Sequence, residues 1–146
     1  MSVEKRFSEA EKIEIKNAVK MAELDTSGEI RVHIEKTCRA DVLDRAAYIF
    51  KKLKMHRTKL RNGVLFYLAL DDRKFAILGD AGINMKVPAN FWDEIKESCM
   101  EHFRNGEVVK GLSTGIIMAG KQLKVQFPYQ EDDVNELEDD ISFGEK

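Results

Sequence analysis

The stretch that most constrains this chain is Val64–Leu70, seven consecutive apolar residues set between Asn62-Gly63 and Asp71-Asp72. Seven residues is short for a helix and ordinary for a strand, and a run without polar alternation suits a strand covered on both faces. Asp71–Lys74 is a short polar turn, and Phe75–Leu78 is a second apolar run, so the two runs read as an antiparallel hairpin. Helices must then cover both sides of whatever sheet the hairpin joins.

The flanking sequence supplies them. Ser8 followed by Glu11 is a capping box, and Ile15, Ala18, Val19 and Ala22 mark the buried face of the helix it opens. Thr26-Ser27-Gly28 is turn chemistry, so that helix stops near Asp25. Glu29–Glu35 alternates without a break: Ile30, Val32 and Ile34 inward, Glu29, Arg31, His33 and Glu35 outward. This predicts a strand with one wet face, at or near a sheet edge. Asp41 can cap a second helix, lined by Leu43, Ala46, Ala47, Phe50 and Leu53. A loop from Gly79–Gly82 to Pro88 leads to a helix with the stripe Trp92, Ile95, Cys99 and Phe103, ended by Asn105-Gly106. The last helix carries Val108, Leu112, Ile116, Ala119 and Leu123, and its Gly111 and Gly115 predict close packing on the sheet. The order predicts an α/β fold, a three-layer α/β/α sandwich with a small mixed sheet. One domain spans residues 1–130, followed by an acidic, flexible tail over 131–146.

Charge is unevenly spread. Residues 131–146 hold eight acids and one base, a balance of −7, so the net charge of −2 leaves +5 on the rest. Between Arg45 and Arg61 there are seven bases and no acid. Such a run can contact phosphates, but it reads first as a solvated helix face followed by a basic loop. No apolar run approaches the roughly 20 residues that span a bilayer. The N-terminus is polar from its first residues, which predicts a cytoplasmic protein. Cys38 and Cys99 form no CxxC pair and read as free thiols.

Connectivity gathers the polar residues. A helical crossover makes the first two strands parallel, and the hairpin turns the third strand back. Three loops then meet at one end of the sheet and bring together Asp25, Ser27, Glu29, Asn62 and Asp80. Carboxylates among small polar groups suit a hard divalent cation, Ca²⁺ or Mg²⁺, with Asp80, Glu29, Asp25 and Asn62 as donors. The same residues also serve as ordinary caps and turn formers. At the opposite end, beyond the carboxyl ends of the parallel strands, Asp71 and Asp72 with Arg73 form the second candidate site. His33, His56 and His102 have no zinc-ligand spacing, and there is no nucleophile elbow, phosphate-binding loop or EF-hand pattern. His33 reads as a surface histidine.

Five segments in order resemble the TPM domain family: Ser27–Val32, Asn62–Leu65, Asp71–Lys74, Ile77–Ile83 and Phe103–Leu112. That family includes thylakoid-lumen proteins of photosystem II repair and a modulator of acetylcholine receptors. The resemblance implies an α/β/α sandwich that binds calcium or magnesium in the loops at the sheet's end. Acid phosphatase activity is attributed to plant members, and assembly or repair of membrane complexes to several. Ser27-Gly28-Glu29 and Gly79-Asp80 match the first cluster, and Asp71-Asp72-Arg73 the second; many members carry a glutamate where Asn84 stands. The expectation is a monomeric metal-binding domain acting through an unidentified protein partner. A metal-assisted acid phosphatase, with unassigned catalytic residues, is the alternative, and a nucleic-acid-binding basic surface is the second.

Overall fold

In the computed structural model, residues 2–129 and 141–144 are described. The two apolar runs form the expected hairpin. Strand β2 (Gly63–Ala69) pairs antiparallel with β3 (Lys74–Gly79), in register from Val64 opposite Gly79 to Ala69 opposite Lys74. Strand β1 (Glu29–Glu35) runs parallel to β2, from Glu29 opposite Gly63 to Glu35 opposite Ala69. The crossover between them carries helix α2 (Val42–Lys52), whose Asp41 accepts from the Leu43 and Asp44 amides. All seven residues of β2 are buried, as its lack of alternation requires.

Helices lie on both faces of this sheet. Helix α1 (Glu9–Glu23) has the predicted capping box: the Glu11 amide donates to Ser8 Oγ at 3.1 Å, and the Ser8 amide to Glu11 Oε1 at 2.8 Å. With α4 (Asp93–Arg104) and α5 (Val108–Gln126) it covers one face. There Ile15, Val19, Ile30, Phe66, Ile116 and Leu123 belong to the main core. The second core is smaller: Ala46, Ile49 and Phe50 of α2 meet Leu65, Tyr67 and Ala76 on the other face. A single helical turn, α3 (Ala81–Asn84), interrupts the loop that follows β3. Among the described residues, no helix is long and apolar enough to cross a membrane.

The first departure from the sequence reading is at the edge of the sheet. Ser142–Phe143 form a short strand, β4, parallel to β1 and paired with His33 and Ile34, so the sheet order is β3-β2-β1-β4. The flexible tail expected over 131–146 therefore includes a sheet-bound piece, while residues 130–140 lie outside the described residues. Strand β1 is interior, and its supposed wet face is buried at Glu29, His33 and Glu35. Alternation reports which side chains share a face; it does not report whether the polar face meets water or other polar groups.

The glycines of α5 are the second departure. A Cβ on Gly115 would stand 2.2 Å from Cys99 Sγ, and one on Gly111 2.7 Å from the Phe103 ring. The close neighbour is α4, with the sheet further off at Phe66, 3.3 Å from the Gly115 position. Gly115→Ala should therefore destabilise the fold by about 1–3 kcal/mol through overpacking. Cys99→Ala vacates the space the new methyl needs, so the double variant should be more stable than the sum of the single costs predicts. Urea denaturation of the four proteins of this cycle measures the coupling; strict additivity would refute the packing argument.

Candidate functional site

At the amino end of β1 the loops converge as connectivity predicted. The Glu29 amide donates to the Asn62 carbonyl at 3.3 Å, Asn62 Nδ2 to Ser27 Oγ at 3.4 Å, and the Asp80 amide to the Gly63 carbonyl at 3.0 Å. Glu29, Asn62 and Asp80 are all buried. Asp25 does not join them: it has φ +64°, its side chain is 79% exposed, and its carboxylate lies 3.8 Å from Lys124.

Asp80 is already engaged. Its Oδ2 accepts from Arg61 Nε at 2.8 Å, and its Oδ1 from Arg61 Nη2 at 2.9 Å and from the Ala81 amide at 2.7 Å. This is the forked, charge-assisted geometry in which a guanidinium satisfies both carboxylate oxygens. The backbone holds the pair in place. The Gly82 amide donates to the Arg61 carbonyl at 2.8 Å, and a Cβ on Gly82 would stand 2.1 Å from the Leu60 carbonyl oxygen. Gly82 thus admits the 60–61 backbone to the start of α3, and no larger residue could. Asn84 turns back in the same loop, donating to the Gly79 carbonyl at 3.1 Å. The donor set does not fit a resident divalent cation. A guanidinium stands on the central carboxylate, Asp25 faces Lys124, and no group of three His, Cys, Asp or Glu among the described residues could hold an ion.

The carboxyl end of the sheet is built differently. Asp71 Oδ1 accepts from Arg6 Nη1 at 2.7 Å, and Asp72 Oδ2 from the Cys38 amide at 2.7 Å. Lys74 Nζ donates to the carbonyls of Cys38 and Ala40, at 2.9 and 3.2 Å. Asp72 and Lys74 thus fasten the loop between β1 and α2 to the hairpin turn, while Asp71 ties the same turn to Arg6 in the N-terminal segment.

Beside this turn lies a polar cluster that the sequence reading missed. Glu35 Oε2 accepts from Arg45 Nε at 3.0 Å and from the Tyr67 hydroxyl, while Oε1 accepts from Arg45 Nη2. His33 Nε2 is 3.4 Å from Glu35 Oε1, and its Nδ1 is 2.6 Å from Ser142 Oγ. Burial alone would raise the Glu35 pKa, but the hydrogen bonds from Arg45 and Tyr67 and the arginine charge outweigh it and bring it to about 2. His33 moves down from 6.5, because burial disfavours the imidazolium more than the Glu35 charge favours it. Tyr67 moves up, by burial first and then by donating to the Glu35 carboxylate. His33, expected on the surface, is thus a neutral interior group. Neither Glu35 and Arg45, ten residues apart, nor His33 and Ser142, far apart in the chain, form a local motif.

Both shifts have the same sign for stability. A lowered histidine pKa means that the unfolded chain takes up a proton near 6.5 that the fold resists, and a lowered carboxylate pKa means the same below 4.5. Stability should be full above pH about 6.5 and fall on acidification, first through His33 and then through Glu35 as pH drops from about 4.5 towards 2. Urea midpoints measured across this range should show two steps. His33→Gln should flatten only the upper one; an unchanged upper step would place its origin elsewhere.

The chain is similar to known proteins in sequence and in fold. The TPM domain profile matches residues 3–122. The BA42 protein of the psychrophilic bacterium Bizionia argentinensis, solved by NMR, is 46% identical over 97% of this chain and 98% of its own, with a TM-score of 0.90. The N-terminal domain of a P. gingivalis protein is 21% identical over 86% of this chain and 82% of its own, with a TM-score of 0.70. At that identity the likeness establishes the fold alone. No curated protein matches. On the family profile and the similarity to BA42, the chain belongs to the TPM domain family.

Proposed function

We propose that this TPM domain is a binding module that works by docking protein partners, and that divalent cations reach Asp80 only in competition with Arg61. The observation behind the reading is the two-point contact of Arg61 with Asp80. A calcium or magnesium ion needs the oxygens that the guanidinium already holds, and a cation brought beside Arg61 is repelled. Arg61 is half exposed while Asp80 is buried, so the arginine can swing out where the carboxylate cannot. Cation binding here is an exchange of one positive group for another.

The rim of the same end favours docking. Met21 and Leu24 at the end of α1, Met85 after α3 and Val125 near the end of α5 are all exposed, Met85 to 87%. Single exposed apolar residues are ordinary, but several at one end of a sheet resemble the apolar part of a contact surface. A phosphomonoesterase would need Asp80 free to hold a cation against the substrate phosphate, and the arginine fork offers no support for that. The basic run is also partly spent internally, Arg45 on Glu35 and Arg61 on Asp80, which weakens the nucleic-acid reading.

An amide NMR titration with Ca²⁺ and Mg²⁺ tests the competition. In the wild type, shifts at Asn62, Gly63 and Asp80 should require high cation concentrations. In Arg61→Ala the same shifts should saturate about tenfold earlier, because a competing charge is gone. Equal saturation in both proteins would contradict the proposal. Saturation in neither would remove the cation from it and leave only docking.

A further inference from the structure

His33 is held between two strands. Its ring stacks on Tyr67 of β2, with centroids 6.1 Å apart and planes 12° from parallel, and its Nδ1 lies 2.6 Å from Ser142 Oγ of β4. Strand pairing puts Tyr67 and Ser142 directly opposite His33, one on each side. The segment Ile141–Gly144 therefore closes the outer side of the ring, which is left 6% exposed. That segment is held by few contacts. Its pairing covers only His33 and Ile34, the Gly144 amide donates to the Ile34 carbonyl at 2.8 Å, Ile141 enters the main core, and the Phe143 ring lies 6.1 Å from that of Phe7.

A neutral imidazole has one hydrogen, and Glu35 Oε1, 3.4 Å from Nε2, draws it to that nitrogen. Nδ1 then accepts from the Ser142 hydroxyl, which has a single hydrogen to give. Protonation turns Nδ1 into a donor, so the hydroxyl must swing to its other acceptor, the Val32 carbonyl at 3.3 Å. The groups facing the ring do little for the added charge. Glu35 favours it, but Arg45 and Tyr67 already hold both carboxylate oxygens. Helix α2 brings the cations Arg45 and Lys52, and Arg31 stands two residues back on the same face of β1. From β2 comes only the Tyr67 hydroxyl, and Ile141–Gly144 contains no titratable side chain. Water solvates an imidazolium better than this site does, and moving β4 aside admits it.

We propose that Ile141–Gly144 is an acid-released strap: protonation of His33 detaches it from β1 while the rest of the sheet and its helices stay folded. The ladders joining β1, β2 and β3 lie on the other side of β1 and keep their hydrogen bonds. The strapped form resists a proton that the released form takes up near 6.5, so the ratio of released to strapped rises by up to about tenfold for each pH unit below that value. The seven acids among residues 131–140 titrate near 4, below this range. Neither Asp80 nor Arg61 takes part, so the strap stands or fails independently of the cation exchange.

Amide NMR of the full chain from about pH 7.5 down to about pH 5 spans the histidine range and reads the strap directly. The Ser142, Phe143 and Gly144 peaks should move together to unfolded positions, while those of Val64–Leu68 stay folded. His33→Gln is neutral throughout and should hold the strap peaks in place over the whole range. Ile141→Val loosens the strap without touching the ring, and should raise the midpoint of release by about half to one pH unit. Strap peaks that stay folded in both wild type and Ile141→Val, or that move in His33→Gln as they do in wild type, would overturn the proposal. So would loss of the Val64–Leu68 peaks together with those of the strap, because that is unfolding of the whole domain.

Discussion

Glu35 stands at the carboxyl end of β1 with an arginine from α2, a tyrosine from β2 and a histidine from its own strand around it. A buried carboxylate is costly unless its oxygens are satisfied and its charge is countered. Meeting that demand decides how three elements meet. Arg45 must come down from α2, which sets that helix on the sheet. Tyr67 must turn its hydroxyl to the same oxygen, which ties β2 to β1. Once fixed, the Glu35 side chain leaves no space for a Cβ at residue 144, so only glycine can end the strand that covers the edge.

The amino end repeats the principle with different residues. Asp80 caps α3 and holds Arg61, while Asn62 joins the β2 loop to Ser27. Asp71 and Asp72 fasten the loops at the far end. Asp80, Asp71 and Asp72, which suggested metal sites, are thus fasteners between separate elements.

Much of the fold was legible because local rules determined it. The unbroken apolar run of β2, the Ser8–Glu11 box and the Asp41 cap each depend on neighbours within a few residues. The convergence of Ser27, Glu29, Asn62 and Asp80 was also legible, since connectivity alone determines which loop ends meet. What each carboxylate does there was not. Arg61 stands next to Asn62 in the sequence, yet nothing local reports that its side chain turns towards Asp80. The strand at Ser142–Phe143 was hidden for a related reason: two residues beyond an acidic run carry no periodicity. His33 and Glu35 were misplaced because alternation looks the same whether a polar face is solvated or paired.

The claim that buried acids organise this domain is tested most directly by a double-mutant cycle between Glu35 and Arg45, using Glu35→Gln and Arg45→Met and reading unfolding free energies. A shared fork in a buried site predicts a coupling of about 1–3 kcal/mol, each single variant costing more than its share of the double. Additivity to within about 0.5 kcal/mol would mean that the pair is incidental and that α2 is held by its apolar face alone.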